Sequence, residues 1–220
     1  MNDKVTLDET IDVARPRHGE TRSTAVALKA DGNPEGKGLS GILNDWQQSR
    51  PQGVVSKPRR QILAEFFTSM LVLSAKFKYR PVVGKPNYLY WINGEWLLSL
   101  VSPQEWSAER RASFAGTCVL QLDRTWTIAP SRLLAEKNAV SAAIASFYKA
   151  FTEIMNTDLA LEDILPVYVG TMPYYQRLNA SALSSSLRET MMRGNQLSIS
   201  GRSWQSQLPQ LNHMITNDLV

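Results

Sequence analysis

The chain has 220 residues, a formal net charge of +4, one cysteine and two histidines. That length suits one domain with tails and buries a core without metal or disulfide staples. The lone cysteine excludes an intramolecular disulfide. His18 and His213 both lie in polar terminal stretches, which removes histidine triads, Cys–His pairs and most zinc sites.

The charge is unevenly placed. Residues 1–40 hold 6 basic and 7 acidic groups, residues 41–130 hold 11 and 6, and residues 131–220 hold 7 and 7. The N-terminus carries Asp3, Lys4, Asp8, Glu9 and Asp12 with no apolar run, so it does not read as a signal peptide. The longest apolar stretch, residues 66–75, is interrupted by Thr68, Ser69 and Ser74 and is too short to span a bilayer. A soluble cytoplasmic protein with no membrane partner is expected.

In chain order, residues 1–39 are polar, mixed in charge and without periodicity, and read as a disordered arm. A short helix over 40–48 is anchored by Ile42, Leu43 and Trp46. After a loop, Ser56 as N-cap and Pro58 in the first turn open a helix over 58–77. Its wide stripe of Ile62, Leu63, Phe66, Phe67, Met70, Leu71 and Leu73 suits one face of a sheet.

Residues 79–129 hold the strands. Tyr79 to Val83 suits only an edge, because Pro81 has no amide hydrogen to give a ladder. Asn93-Gly94 is a type I′ hairpin signal, since both central residues need positive φ. A two-residue loop sets the register: Ile92 opposite Glu95, Trp91 opposite Trp96, Tyr90 opposite Leu97, Leu89 opposite Leu98 and Tyr88 opposite Ser99. Alternation puts Leu89, Trp91, Trp96, Leu98 and Leu100 on one face, and Tyr88, Tyr90, Ile92, Leu97 and Val101 on the other. Both faces are apolar, so either helices cover both or one meets a partner. Pro103 ends the hairpin. A strand over 114–122 follows, with Gly116 marking a bulge or a close backbone approach. Asp123-Arg124 turns the chain into a short return strand, 125–128.

The elements Tyr88-Leu89-Tyr90, Leu98 to Trp106 (LSLVSPQEW), Phe114-Ala115-Gly116, Leu120 and Asp123-Arg124-Thr125-Trp126 together resemble an uncharacterised family known as domain of unknown function 2452. The resemblance covers mainly residues 77–128 and the helix before them. It implies no catalytic or binding residues. Ser107 and Ala108 stand where a glycine is common in that family, and the arm and the chain after Pro130 look particular to a bacterial subgroup.

Beyond the strands, a helix over 131–155 carries Leu133, Val140, Ile144, Phe147, Phe151 and Ile154 at helical spacing. A short helix over 157–165 ends at Pro166. A third long helix, 172–193, stops at Gly194. Its small-residue middle, 179–186, suits close packing, against 131–155 or as a weak solvated helix. Residues 195–220 read as a flexible polar tail. The fold class is α+β: a small antiparallel β-meander flanked by three long helices, in one domain over 40–194.

Little carries chemistry. No P-loop or Rossmann glycine pattern is present. Cys118 reads as a small core residue rather than a reactive thiol. Glu105, between Pro103 and Trp106, is the one candidate acid, against the plainer reading that it holds the turn. Asp123 reads as an Asx-turn residue. Lys76, Lys78, Arg80 and Lys85 alternate with Phe77, Tyr79 and the hairpin aromatics, a pattern that suits single-stranded nucleic acid. The preferred expectation is a non-enzymatic protein-interaction module, without cofactor or metal, whose Tyr88/Tyr90/Ile92 face or small-residue helix meets a protein partner or a second copy. Glu105 and Trp106 join the candidate binding residues. The alternative is an RNA or single-strand binder on the basic and aromatic surface.

Overall fold

The computed structural model describes residues 38–167 and 171–211. The chain divides after Gly38, and the fold is that of the unit from Leu39 onward. Residues 1–37 of the expected arm (1–39) and the end of the expected tail, 212–220, lie outside the described residues, and Leu39 already opens a helix.

The elements are α1 (Leu39–Gln48), α2 (Arg59–Leu73), β1 (Pro86–Ile92), β2 (Glu95–Ser99), α3 (Ala108–Arg111), β3 (Phe114–Leu120), β4 (Trp126–Pro130), α4 (Ala139–Met155), α5 (Tyr174–Arg193) and α6 (Gly201–Gln205). The fold is α+β, with one antiparallel sheet in the order β2-β1-β3-β4. The order departs from a sequential meander at one step: β3 returns to β1 rather than to β2. The turn at 102–113 therefore carries the chain across the hairpin.

The hairpin register is the one its two-residue loop dictates, from Tyr88↔Ser99 to Ile92↔Glu95. Asn93 (φ 52°) and Gly94 (φ 80°) both take the left-handed conformation. Between β1 and β3 the register shifts at Leu89/Tyr90, so that Leu89 faces Gly116 while Tyr90 faces Phe114. Ala115 is the extra residue of this bulge. Gly116 also answers to a close approach: a Cβ there would lie 2.7 Å from the Ala129 carbonyl oxygen and 2.8 Å from Ile128 Cγ1.

One sheet face, with Leu89, Trp96, Leu98, Cys118, Leu120, Trp126 and Ile128, is buried in the main core. There α2 lies on β4, and α4 on β1 and β3. Phe66 and Phe67 of α2 meet Phe147 and Phe151 of α4 edge to face, at centroid separations of 5.3–5.6 Å. Ser69 Oγ accepts the Trp126 amide hydrogen at 2.9 Å, so a serine on α2 satisfies a donor of the strand beneath it.

Several expected boundaries move. α2 begins at Arg59 with Pro58, not Ser56, at the N-cap, and no side chain caps it. It ends at Leu73 rather than Phe77. Lys76 leaves the helix to bridge Leu97 in parallel, its amide donating to the Trp96 carbonyl and its carbonyl accepting from Leu98. This backbone closes part of the outer edge of β2, the place an edge strand would take, and residues 79–83 form none. The helix expected over 131–155 is interrupted: Arg132–Ala135 is one 3₁₀ turn, and α4 starts where Asn138 and Ser141 exchange capping bonds. Only a 3₁₀ turn, Leu161–Asp163, stands within 157–165.

α5 ends in a Schellman motif, with Gln196 N–H bonded to Met191 O and Asn195 N–H to Met192 O. The left-handed residue is Asn195 (φ 52°), while Gly194 keeps φ −93°. The small-residue middle of α5 is mostly buried, and α5 packs on α2 rather than on α4. Residues 195–211 are no tail. Leu161 N–H bonds to Ile199 O, Gly201 N–H to Leu159 O and Tyr148 Oη–H to Pro209 O, and Trp204 is fully buried. A single tryptophan in a polar stretch outweighs the composition around it, because its ring is the largest apolar surface available.

Candidate functional site

The second sheet face behaves differently from the first. Tyr88, Ile92, Leu97, Thr117, Val119 and Thr127 are half-buried rather than buried. The exception is Tyr90, which is sealed by the chain's own 101–114 segment. Its ring contacts Phe114 at 5.5 Å and Trp106 at 6.0 Å, and its hydroxyl donates to the Val101 carbonyl at 2.9 Å. Burial pushes the Tyr90 phenol up to about 12. Trp106 Nε1–H shares the Val101 carbonyl at 3.3 Å, and the Arg110 guanidinium stacks 4.1 Å from the Trp106 ring.

Glu105 is exposed in this segment, and its Oε2 accepts the Ser102 amide hydrogen at 3.3 Å. It holds the turn and lines none of the three clefts described below. Ser107, in the position where a glycine is common, caps α3 by accepting the Arg110 amide hydrogen. Tyr88, Tyr90 and Trp106 thus come together, with Glu105 at the margin.

The four cations do not form one stripe. Lys76 pairs with Glu95 at the hairpin tip, with both Nζ–O distances at 2.7 Å, whereas Arg80 reaches Asp45 on α1 at 3.2 Å. Lys78 and Lys85 are exposed. The aromatics between them turn inward: Phe77 is buried, and Tyr79 donates to Asn87 Oδ1 at 2.8 Å. Burial, with a smaller contribution from Cys118, pushes the Tyr79 phenol up. Cys118 itself is fully buried, and burial pushes its thiol up as well.

A buried ionic network escapes a reading by motif. Lys57 Nζ lies 2.7 Å from Glu65 Oε2 and 2.5 Å from Asp123 Oδ2, and the three side chains are 10–12% exposed. Asp123 Oδ1 also accepts Thr125 N–H at 3.1 Å and Thr125 Oγ1–H at 2.7 Å, which makes it the Asx-turn residue expected. Burial opposes the charge on all three groups. For Asp123 the bonds from Lys57 and Thr125 outweigh burial and hold the carboxyl below its ordinary value. For Glu65 burial wins and the carboxyl is pushed up. For Lys57 the bonds to Asp123 and Glu65 win and the ammonium is held above its ordinary value. The signal was Glu65 itself: a carboxylate inside the apolar run of α2 requires a cation nearby.

Three clefts stand out among the described residues. A groove of about 460 Å³ runs between the hairpin tip and α4, walled by Trp91, Trp96 and Phe147. Two others, of about 300 and 240 Å³, share Trp46, Ser181 and Ser185 over the small-residue turns of α5.

Fold and surfaces define an α+β protein with one helix-clad and one half-open sheet face. Residues 54–149 match the family model described as "Protein of unknown function (DUF2452)". That is the family its hairpin and turn motifs resemble, and the match extends past both ends of 77–128. No curated protein and no solved structure matches the chain. Among the described residues, no helix is long and apolar enough to cross a membrane.

Proposed function

We propose that this chain is a non-enzymatic protein-interaction module of the cytoplasm, binding a protein partner through the second face of its sheet. One observation carries the reading: Tyr88, Ile92, Leu97 and Val119 stay half-exposed on a face whose opposite side is largely buried under helices. Apolar side chains on a strand face gain from a second layer. Here the chain's own 101–114 segment buries Tyr90, whereas Tyr88, whose ring meets Phe114 at 6.3 Å, stays half-exposed. The small-residue helix offers less surface to a protein partner, because its middle is mostly spent on internal packing and the rest lines the two Trp46 clefts.

The test compares affinity captures of the tagged full chain and its Val119→Glu variant, each with nuclease. Val119 is half-exposed and faces away from the core, so the charge leaves the fold intact. A protein recovered with the wild type and lost with Val119→Glu supports the reading. Equal recovery from both overturns it. Recovery that depends on nucleic acid, and falls instead in a Lys78→Glu/Lys85→Glu variant, transfers the function to the basic surface.

A further inference from the structure

One wall residue of the smaller Trp46 cleft, Glu162, carries a buried carboxylate oxygen that no described residue satisfies. Its wall is formed by Trp46, Leu165, Val167, Glu162, Arg188 and serines of α5. Glu162 is 9% exposed; its Oε1 accepts the Ser198 amide hydrogen at 2.7 Å, while its Oε2 is buried without a partner. Ser186, Thr190, Gln196 and Trp204 also bury a polar atom without a partner, but none of them lines any of the three clefts. Leaving a buried acceptor unmet carries the full cost of desolvating it, and for a carboxylate that cost is large.

The rest of the wall says what kind of group would meet it. Ser181 Oγ–H donates to Val167 O, Ser184 Oγ–H to Ala180 O and Ser185 Oγ–H to Ser181 O. These hydroxyl hydrogens are engaged, so the serines offer only lone pairs to a guest. The Trp46 ring, 47% exposed, adds a π face that favours cations. The one full positive charge on the wall is Arg188, which is exposed. Leu165 and Val167 complete an apolar side.

We propose that this cleft binds a small zwitterion of amino-acid size with an apolar side chain. Its ammonium lies with Glu162 and the serine oxygens, its carboxylate with Arg188, and its hydrocarbon against Trp46, Leu165 and Val167. The site stands apart from the half-open sheet face, so it holds or falls independently of the interaction proposed for that face.

Three matched probes test it on the full chain: norleucine, hexylamine, which lacks the carboxylate, and hexanoate, which lacks the ammonium. Binding is read by calorimetry and by the shift of the Trp46 indole N–H resonance, assigned with Trp46→Phe. Norleucine is expected to bind, hexylamine about 10-fold more weakly, and hexanoate not measurably. Glu162→Gln keeps an acceptor for Ser198 and is expected to weaken norleucine at least about 10-fold. Ser185→Trp, at an exposed position, fills the cleft and abolishes binding; it decides the matter should Glu162→Gln fail to fold. No heat and no Trp46 shift with norleucine overturns the proposal. So does hexanoate binding as well as norleucine, or norleucine affinity unchanged in both variants.

Discussion

Lys57→Met is the most informative single perturbation of the fold. It removes the ammonium that sits between Glu65 and Asp123 at 2.7 and 2.5 Å and leaves two carboxylates about nine-tenths buried. Removing one partner of a buried ion pair costs about 3–5 kcal/mol, a large share of the roughly 5–15 kcal/mol that holds a domain together. Urea denaturation at pH 7 should show that loss as a lower midpoint with an unchanged slope. The triple variant Lys57→Met/Glu65→Leu/Asp123→Asn should recover most of it, because the stranded charges are gone. The pH dependence has a definite sign. Lys57 is held above its ordinary value, so its contribution is complete below that value and is lost as pH rises through the raised one. Asp123 is depressed, so its contribution is present above its ordinary value and is lost as pH falls through the depressed one. Glu65 runs opposite to Asp123: its raised value lets the native state take up a proton first, which relieves rather than costs stability on acidification. The wild type should therefore lose stability on an alkaline limb that Lys57→Met lacks. A loss under about 1 kcal/mol in Lys57→Met, or a triple variant no better than the single, would refute the account.

Other substitutions probe separate joints of the molecule. Gly116→Ala forces a methyl against the Ala129 carbonyl, which is backbone and cannot rotate away, and should cost about 1–3 kcal/mol by denaturation. Gly94→Ala places an L-residue at φ 80° and should cost about 1–2 kcal/mol without moving the midpoint slope. Trp204→Ala should cost about 3–5 kcal/mol, where a flexible tail would give no change. Cys118 should resist a thiol reagent in the native protein and react on unfolding, because the thiolate is the reactive form and burial suppresses it.

The hairpin was legible because a two-residue turn leaves no freedom: Asn93-Gly94 fixes the register and the register fixes both faces. Gly116 was legible as an anomaly, a glycine inside a strand run, and it proved to be both bulge and close approach. Helix ends were harder. Phe77 continues the apolar pattern of α2, yet the backbone of Lys76 is drawn off to β2, a competition no local pattern records. Residues 195–211 were misread because their order depends on partners far back in the chain, such as Leu159, Leu161 and Tyr148. The cations at 76–85 were visible as residues, but their carboxylates were not: Glu95 and Asp45 reach them only through the fold. Glu162 gave no sequence sign at all, since an unmet lone pair is a property of surroundings.

The family match stops at residue 149, inside α4. α2, near the start of the matched segment, is buried nearly all round, with Ile62, Leu63, Phe66, Phe67, Leu71, Val72 and Leu73 each almost inaccessible. Sheet and α4 account for part of that enclosure, and α5, wholly beyond the match, accounts for another. A fragment cut at the family boundary would split one helix and strip another, and should aggregate rather than fold. In this chain it is α5 that clothes the far side of α2. The stretch recognisable by descent and the stretch able to fold alone are thus different lengths of the same polypeptide.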